Sequence, residues 1–147
     1  MDMNEKLHSG VLYLPDDDDI INLQEKCLEK LYDFNMTRPR EMEKRSAMLK
    51  DMFAEIGRSV ISNLRFMQTG EDIMSISETV YANFNLTLVD DTHIYVGDCT
   101  MFAPNVTVAT AGHPIAPCLR KYGIQYNAPV RIGKNCWIVR ALSLCRV

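Results

Sequence analysis

The sequence predicts a mainly β fold, a coil of short parallel strands preceded by a helical segment. Three observations carry this. Apolar residues recur at helical spacing up to about residue 57 and not beyond it. Past that point aliphatic residues recur at every sixth position. That second series is interrupted by one Gly- and Pro-rich interval. The expected division is 1–57 helical and 58–147 coil, with an inserted loop at about 109–131.

In the first segment, Asp16 to Asp19 precede Ile20 and suit a helix N-terminus, by capping and by the helix dipole. They lack the spaced glycine and distal Glu of a calcium loop, so no metal is expected there. Ile20, Leu23, Cys27, Leu28, Leu31 and Phe34 then form one buried face at three-and-four spacing. Thr37 and Pro39 open a second helix. Its expected stripe is Met42, Met48, Leu49, Met52, Phe53 and Ile56, and Gly57 stops it.

The hexads come in three series: Ile76, Ala82, Leu88; then Val96, Phe102, Val108; then Ile132, Ile138, Leu144. Their fifth positions are Val80, Leu86, Thr100, Val106, Cys136 and Leu142, expected to be slim because they lie near a corner. Val96-Gly97 and Ile132-Gly133 each open a series. Three hexads make one turn of a triangular coil, with the leading residue inward and each coil paired only to its neighbours. Leu88 to Val96 is two residues too long, so a bulge is expected there. Ala109 to Arg131, with Gly112, Pro114, Pro117, Gly123 and Pro129, reads as a loop projecting from the coil, a common place for function.

Composition excludes several classes. The 147 residues are 47% hydrophobic and 24% charged, an ordinary globular balance. A net charge of −3 gives no general affinity for nucleic acid or an anionic membrane. No apolar run approaches the roughly 18 residues of a membrane helix, and the N-terminal residues lack the apolar stretch of a secretory signal, so a cytoplasmic location is expected. The 5 cysteines include no CxxC pair, which argues against a disulfide framework or a structural zinc site. GxSxG, P-loop and HExxH patterns are lacking.

The chemistry-bearing candidates are few. His113 stands in Thr110-Ala111-Gly112-His113-Pro114, between a flexible Gly and a Pro that fixes the chain. An imidazole so placed can act as a general base near neutral pH. It can equally be a turn histidine. Asn83, Asn85, Asp90 and Asp91 offer amides and carboxylates that suit sugar hydroxyls, or solvated ladders on the outside of a coil.

Longer stretches carry a resemblance. YANFNLTLVDD, Tyr81 to Asp91, and MFAPNVTVATAGHP, Met101 to Pro114, resemble the galactoside acetyltransferases almost letter for letter. EKLHSGVLY, Glu5 to Tyr13, and Lys30 to Gly57 are similar to the helices of maltose and galactoside acetyltransferases. The likeness runs to Trp137. It implies a hexapeptide-repeat sugar O-acetyltransferase, a left-handed parallel β-helix that assembles as a homotrimer with active sites between subunits. It also implies acetyl-CoA as co-substrate, no metal, and direct transfer to a hydroxyl of a galactoside, or of maltose or glucose, without an acetyl-enzyme. Position by position, His113 matches the general base, Asn83 and Asp91 match sugar contacts, and Asp16 or Asp17 falls near another acceptor-side carboxylate.

The chain also departs from that pattern. Gln24 stands where an Arg is usual, and Phe66-Met67-Gln68 replaces a serine and paired prolines. Ser77 and Glu78 replace a Gly-Asx pair. Where relatives carry GxE, this chain has Gly123-Ile124-Gln125, with Ile124 in place of the carboxylate and its support of the site lost. After Trp137-Ile138 the expected coils, which carry most CoA contacts in relatives, give way to Val139-Arg140, and Cys145-Arg146-Val147 resembles the family's late PCRV-like segment. No residue is therefore assigned to the donor. The alternative function is a catalytically impaired remnant, or a non-catalytic trimerising sugar-binding protein that lacks the acetyl-CoA site.

Overall fold

The computed structural model describes residues 2–57 and 79–139, with the backbone of short strands at 61–62, 66–67 and 74–76. The expectations for Gln68, Ser77, Glu78 and the segment from Leu142 onward lie outside the described residues.

Three helices come first. Helix α1 (Met3–Ser9) starts at a capping box in which Glu5 N–H donates to Asp2 Oδ1 at 2.7 Å and Asp2 N–H donates to Glu5 Oε2 at 3.0 Å. Gly10, at φ 75°, ends it. Helix α2 (Asp18–Asn35) is capped by Asp17, whose Oδ1 accepts Asp19 N–H at 3.0 Å, with Asp18 and Asp19 in the first turn. The helix start expected at the acidic run is therefore present. Its buried face is narrower than expected. Cys27, Leu31 and Phe34 are buried, while Leu23 and Leu28 are exposed at 41% and 44%.

Helix α3 (Met42–Met52) begins later than Thr37-Pro39 suggests. Thr37 Oγ1 donates back to Phe34 O at 2.6 Å and Glu41 N–H to Arg38 O at 3.0 Å. Those bonds hold residues 37–41 in turns, so the first helical bond is Arg45 N–H to Glu41 O at 3.0 Å. Only Leu49 and Met52 of its expected stripe are buried within the helix, and Met42 is exposed. Phe53 is extended (φ −113°, ψ 141°) and stops the helix four residues before Gly57. Ile56 already belongs to a strand, β1 (Glu55–Ile56).

The strands then visit three parallel sheets in strict rotation. The first circuit is β1, β2 (Ile61–Ser62) and β3 (Phe66–Met67); the second is β4 (Met74–Ile76), β5 (Tyr81–Ala82) and β6 (Leu86–Val89). The third is β7 (Ile94–Val96), β8 (Met101–Phe102) and β9 (Thr107–Ala109). Beyond an insert, β12 (Val130–Ile132) and β13 (Trp137–Ile138) continue the first two sheets.

Register bears out the hexads. Ile76 pairs with Val96 and Val96 with Ile132; Ala82 pairs with Phe102 and Phe102 with Ile138; Leu88 pairs with Val108. The leading residues Ala82, Leu88, Val96, Phe102 and Val108 are all buried. So are the fifth residues Val80, Leu86, Thr100 and Val106, which correct the expectation of slimness: they fill the interior, and Leu86 is not small. The corner is made one residue earlier. Thr79, Asn85, Cys99, Asn105 and Asn135, each the fourth of its hexad, have φ between 56° and 62°. Asn85 Nδ2 donates to Asn105 Oδ1 at 3.0 Å, stacking one corner on the next.

Leu31, Phe34, Leu49, Met52 and Phe53 join the coil's interior in one apolar cluster. Helix α2 packs on β3 and α3 on β1, so the helices cover the first circuit, whose interior would otherwise face water. Full burial of each such side chain contributes about 1.5–3 kcal/mol. Among the described residues no helix is long and apolar enough to cross a membrane.

Candidate active site

From Ile76 onward the hexad period fails twice among the described residues, and both failures fall on the same corner of the coil. The eight-residue step from Leu88 to Val96 places Asp90 to His93 between β6 and β7. One circuit later, the insert lies between β9 and β12. The two irregular corners therefore stack, because β6 pairs with β9 and β7 with β12.

The insert is not the loop expected over 109–131. Ala109 ends β9, and Val130 and Arg131 begin β12. Between them, β10 (Ala111–Gly112) and β11 (Tyr126–Asn127) form an antiparallel hairpin, with helical turn α4 (Pro117–Arg120) at its tip. Gly112 is not a flexible point. It pairs with Tyr126, and a Cβ there would lie 2.9 Å from that ring. Thr110 bolts the hairpin to the coil: its Oγ1 donates to Val89 O at 3.0 Å and accepts Thr92 N–H at 3.1 Å.

His113 follows β10 and is exposed. Its Nδ1 lies 2.9 Å from Ile124 O. A carbonyl oxygen only accepts, so Nδ1 carries a proton, and in the neutral ring Nε2 is the nitrogen with the lone pair. Ile124, named for the carboxylate it lacks, meets His113 through its backbone carbonyl, a contact that does not depend on its side chain.

Asp91 meets the other side of the same stretch. Gln125 Nε2 donates to Asp91 Oδ2 at 3.1 Å and also to Tyr13 Oη. Tyr13 and Gln125 exchange backbone bonds, both of 2.9 Å. Asn127 Nδ2 donates to Tyr13 Oη at 2.9 Å and to Leu7 O at 3.1 Å. Burial holds the Tyr13 phenol above its ordinary value; the Asp91 charge pushes the same way, and the amide bonds oppose it. Tyr13 thus stays a neutral hydroxyl. The sequence singled out none of Tyr13, Asn127 and Gln125 for a role; Gln125 stood there only as the last residue of Gly123-Ile124-Gln125.

Asn83 is brought to neither. It lies between β5 and β6, at the preceding corner, where its Oδ1 accepts Phe84 N–H at 2.8 Å. Asp17 serves as the α2 cap, and exposed Asp16 lies three residues after Tyr13. A second feature borders the site: His8 stacks on His93 at 4.8 Å, with Nδ1 2.8 Å from Thr92 Oγ1. Burial first, then the neighbouring His93, lowers the His8 pKa. No group of three or more His, Cys, Asp or Glu that could hold a metal occurs among the described residues.

Known proteins share this architecture. Residues 6–57 match the maltose acetyltransferase hexapeptide capping motif. The chain is 43% identical over 135 residues to the galactoside O-acetyltransferase of Lactococcus lactis subsp. lactis (strain IL1403), covering 91% of this chain and 65% of that protein. The crystal structure of a maltose O-acetyltransferase from Clostridium difficile 630 superposes with a TM-score of 0.91 at 34% identity, covering 95% of this chain and 74% of the other. A galactoside acetyltransferase in complex with coenzyme A gives a TM-score of 0.88 at 36% identity, over 93% and 68%. The chain thus spans about two thirds to three quarters of these relatives. On that identity and coverage, it belongs to the family of galactoside and maltose O-acetyltransferases.

Proposed function

We propose that this chain is a cytoplasmic O-acetyltransferase that moves an acetyl group from acetyl-CoA to a hydroxyl of a galactoside, with His113 as general base. The observation that carries this is the Nδ1–Ile124 O bond of 2.9 Å, which leaves Nε2 as the basic nitrogen of an exposed ring. Nε2 takes the proton of the sugar hydroxyl while its oxygen bonds to the thioester carbonyl carbon. The carbon–sulfur bond then breaks, and the imidazolium returns its proton to the leaving thiolate, so no covalent enzyme intermediate is needed. Asp91 and Asn83 orient the acceptor, and Asp16 or Asp17 approaches it from the N-terminal side. Acetyl-CoA as donor follows the relatives' names and the coenzyme A complex.

We read the three sheets as the walls of a left-handed β-helix that begins at β1, after the helices that end at Met52. We read the working unit as a homotrimer. Support for the trimer comes from the corners: Asp91 and His113 share one, and Asn83 occupies another. A site using all three therefore draws on two copies.

The test is release of free CoA thiol from acetyl-CoA with methyl β-galactoside as acceptor. His113→Ala is expected to lower turnover by about 10²–10⁴-fold, with assembly and melting unchanged. Equal turnover by that variant refutes the base assignment.

A further inference from the structure

Gln125 joins two segments far apart in sequence. Its amide group has two hydrogens, and the structure directs one to Asp91 Oδ2 at 3.1 Å and one to Tyr13 Oη. The residue is 9% exposed, and its backbone is locked to Tyr13 by the two 2.9 Å bonds. Tyr13 is in turn held by Asn127, itself 1% exposed. Nothing in this arrangement lets the amide turn away from Asp91 without breaking a buried bond.

The geometry points to Gln125 as a positioning residue for the acceptor: with Tyr13 behind it, Gln125 fixes the Asp91 carboxylate in one orientation toward a galactoside hydroxyl. This rests on the proposed reading that Asp91 contacts the acceptor. A carboxylate at an open corner otherwise samples several rotamers, and binding then has to order it. Gln125 supplies that order in advance. Its neutrality matters as much as its reach. A carboxylate in its place would lie beside Asp91, and two such groups hold a shared proton to higher pH than either alone. The residue at 125 therefore sets the orientation of Asp91.

The titratable groups against Gln125 are Asp91 and Tyr13, with His113 reached through Ile124. The experiment measures methyl β-galactoside binding to the full chain by calorimetry, at pH 5 and pH 8. Gln125→Leu is expected to raise Kd about 10-fold at both, and to raise KM for the galactoside more than it lowers kcat. Gln125→Glu is expected to bind nearly as the unaltered chain at pH 5, where a shared proton restores the bond to Asp91. At pH 8 it is expected to be about 10-fold weaker. A merely structural role gives the same defect at both pH values. Should Gln125→Leu fail to fold, Gln125→Glu decides alone, because its pH 5 state reports an intact fold. Asp91→Asn separates the two readings. If it loses binding while both Gln125 variants bind normally, the positioning role is overturned and the acceptor role of Asp91 stands. If it binds normally, or the unaltered chain binds no galactoside, both are overturned.

Discussion

Two glycines that look alike in sequence should respond oppositely to the same substitution. Gly97 and Gly133 each follow an aliphatic residue that opens a hexad series, and their neighbours pair in register, Val96 with Ile132. A Cβ on Gly97 would meet Gly133 C at 2.7 Å, Gly133 O at 2.8 Å and Lys134 N at 2.8 Å, all backbone. A Cβ on Gly133 meets only Cys136 Sγ, at an ordinary 3.8 Å. For Gly97→Ala the two circuits must part by about 0.7 Å to bring the nearest contact, at 2.7 Å, out to ordinary van der Waals distance. That parting stretches the bonds from Gly97 N–H to Ile132 O (2.9 Å), Asn135 N–H to Asp98 O (2.8 Å) and Thr100 Oγ1 to Gly133 O (2.8 Å). With each such bond contributing about 0.5–1.5 kcal/mol, the expected cost is about 2–3 kcal/mol. For a chain of this size that is a fall in Tm of about 5–10 °C. Gly133→Ala is expected to be neutral, or to stabilise by about 0.5 kcal/mol through the unfolded chain. Thermal melts of both variants at one fixed protein concentration decide it. Equal Tm values for the two variants refute the reasoning from close backbone approach.

Other outcomes follow from single residues. Thr79 is the one β-branched residue among the left-handed corners, at φ 62°, where three of the others are Asn. Thr79→Asn should raise stability by about 0.5–1 kcal/mol, and an unchanged or lower Tm counts against the corner assignment. His8 has a lowered pKa, so the folded state favours its neutral form. The stability it contributes is present above its ordinary value of 6.5 and is lost as pH falls below that toward the folded value. Hydrogen exchange in α1 should therefore quicken as pH falls through that window, after correction for intrinsic rates. His8→Asn should abolish the effect, and a persistent pH dependence in that variant excludes His8 as its source. Gly112→Ala should displace the Tyr126 ring, whose nearest atoms would be 2.9 and 3.0 Å away, and so shift the hairpin that carries His113 and Ile124. Acetyl transfer is expected to fall about 10-fold with Tm changed by little; full activity would show that the hairpin absorbs the shift.

The parts of the fold visible in the sequence are those governed by local repetition. Hexads announce themselves because a corner, an inward residue and the next inward residue all lie within six positions, and Ala82, Phe102 and Ile138 line up as spacing alone demands. The corner itself was missed, although Asn85, Asn105 and Asn135 mark it. Asn is the non-glycine residue that tolerates positive φ best, but Thr79 and Cys99 blur the pattern. Helix α2 was legible in its start and not in its face. Its apolar residues fit two overlapping stripes, and only contact with α3 and β3 selects Cys27, Leu31 and Phe34 over Leu23 and Leu28. The end of α3 was misplaced for a similar reason: Phe53 and Ile56 fit a helical stripe, and pairing of β1 with β4 overrides it.

The site shows where sequence reading stops. Each break in the period was visible, the long step at Asp90 to His93 and the insert after Thr110. That they stack on one corner follows only from counting whole circuits. Tyr13 and Gln125 are 112 positions apart, and no spacing rule connects them. Yet that contact explains the position of α1 against β11. Without residues 7–13, Gln125 Nε2 would keep only Asp91 Oδ2, and Asn127 Nδ2 would keep only the 3.4 Å bond to Asp91 O. Each bond so lost contributes about 0.5–1.5 kcal/mol, so the hairpin's present path depends on the N-terminal segment. The N-terminal residues are thus coupled to the chemistry through the hairpin, and a chain trimmed of residues 1–13, with α2 and α3 still covering the coil, is expected to keep its fold and lose the orientation of both Asp91 and His113.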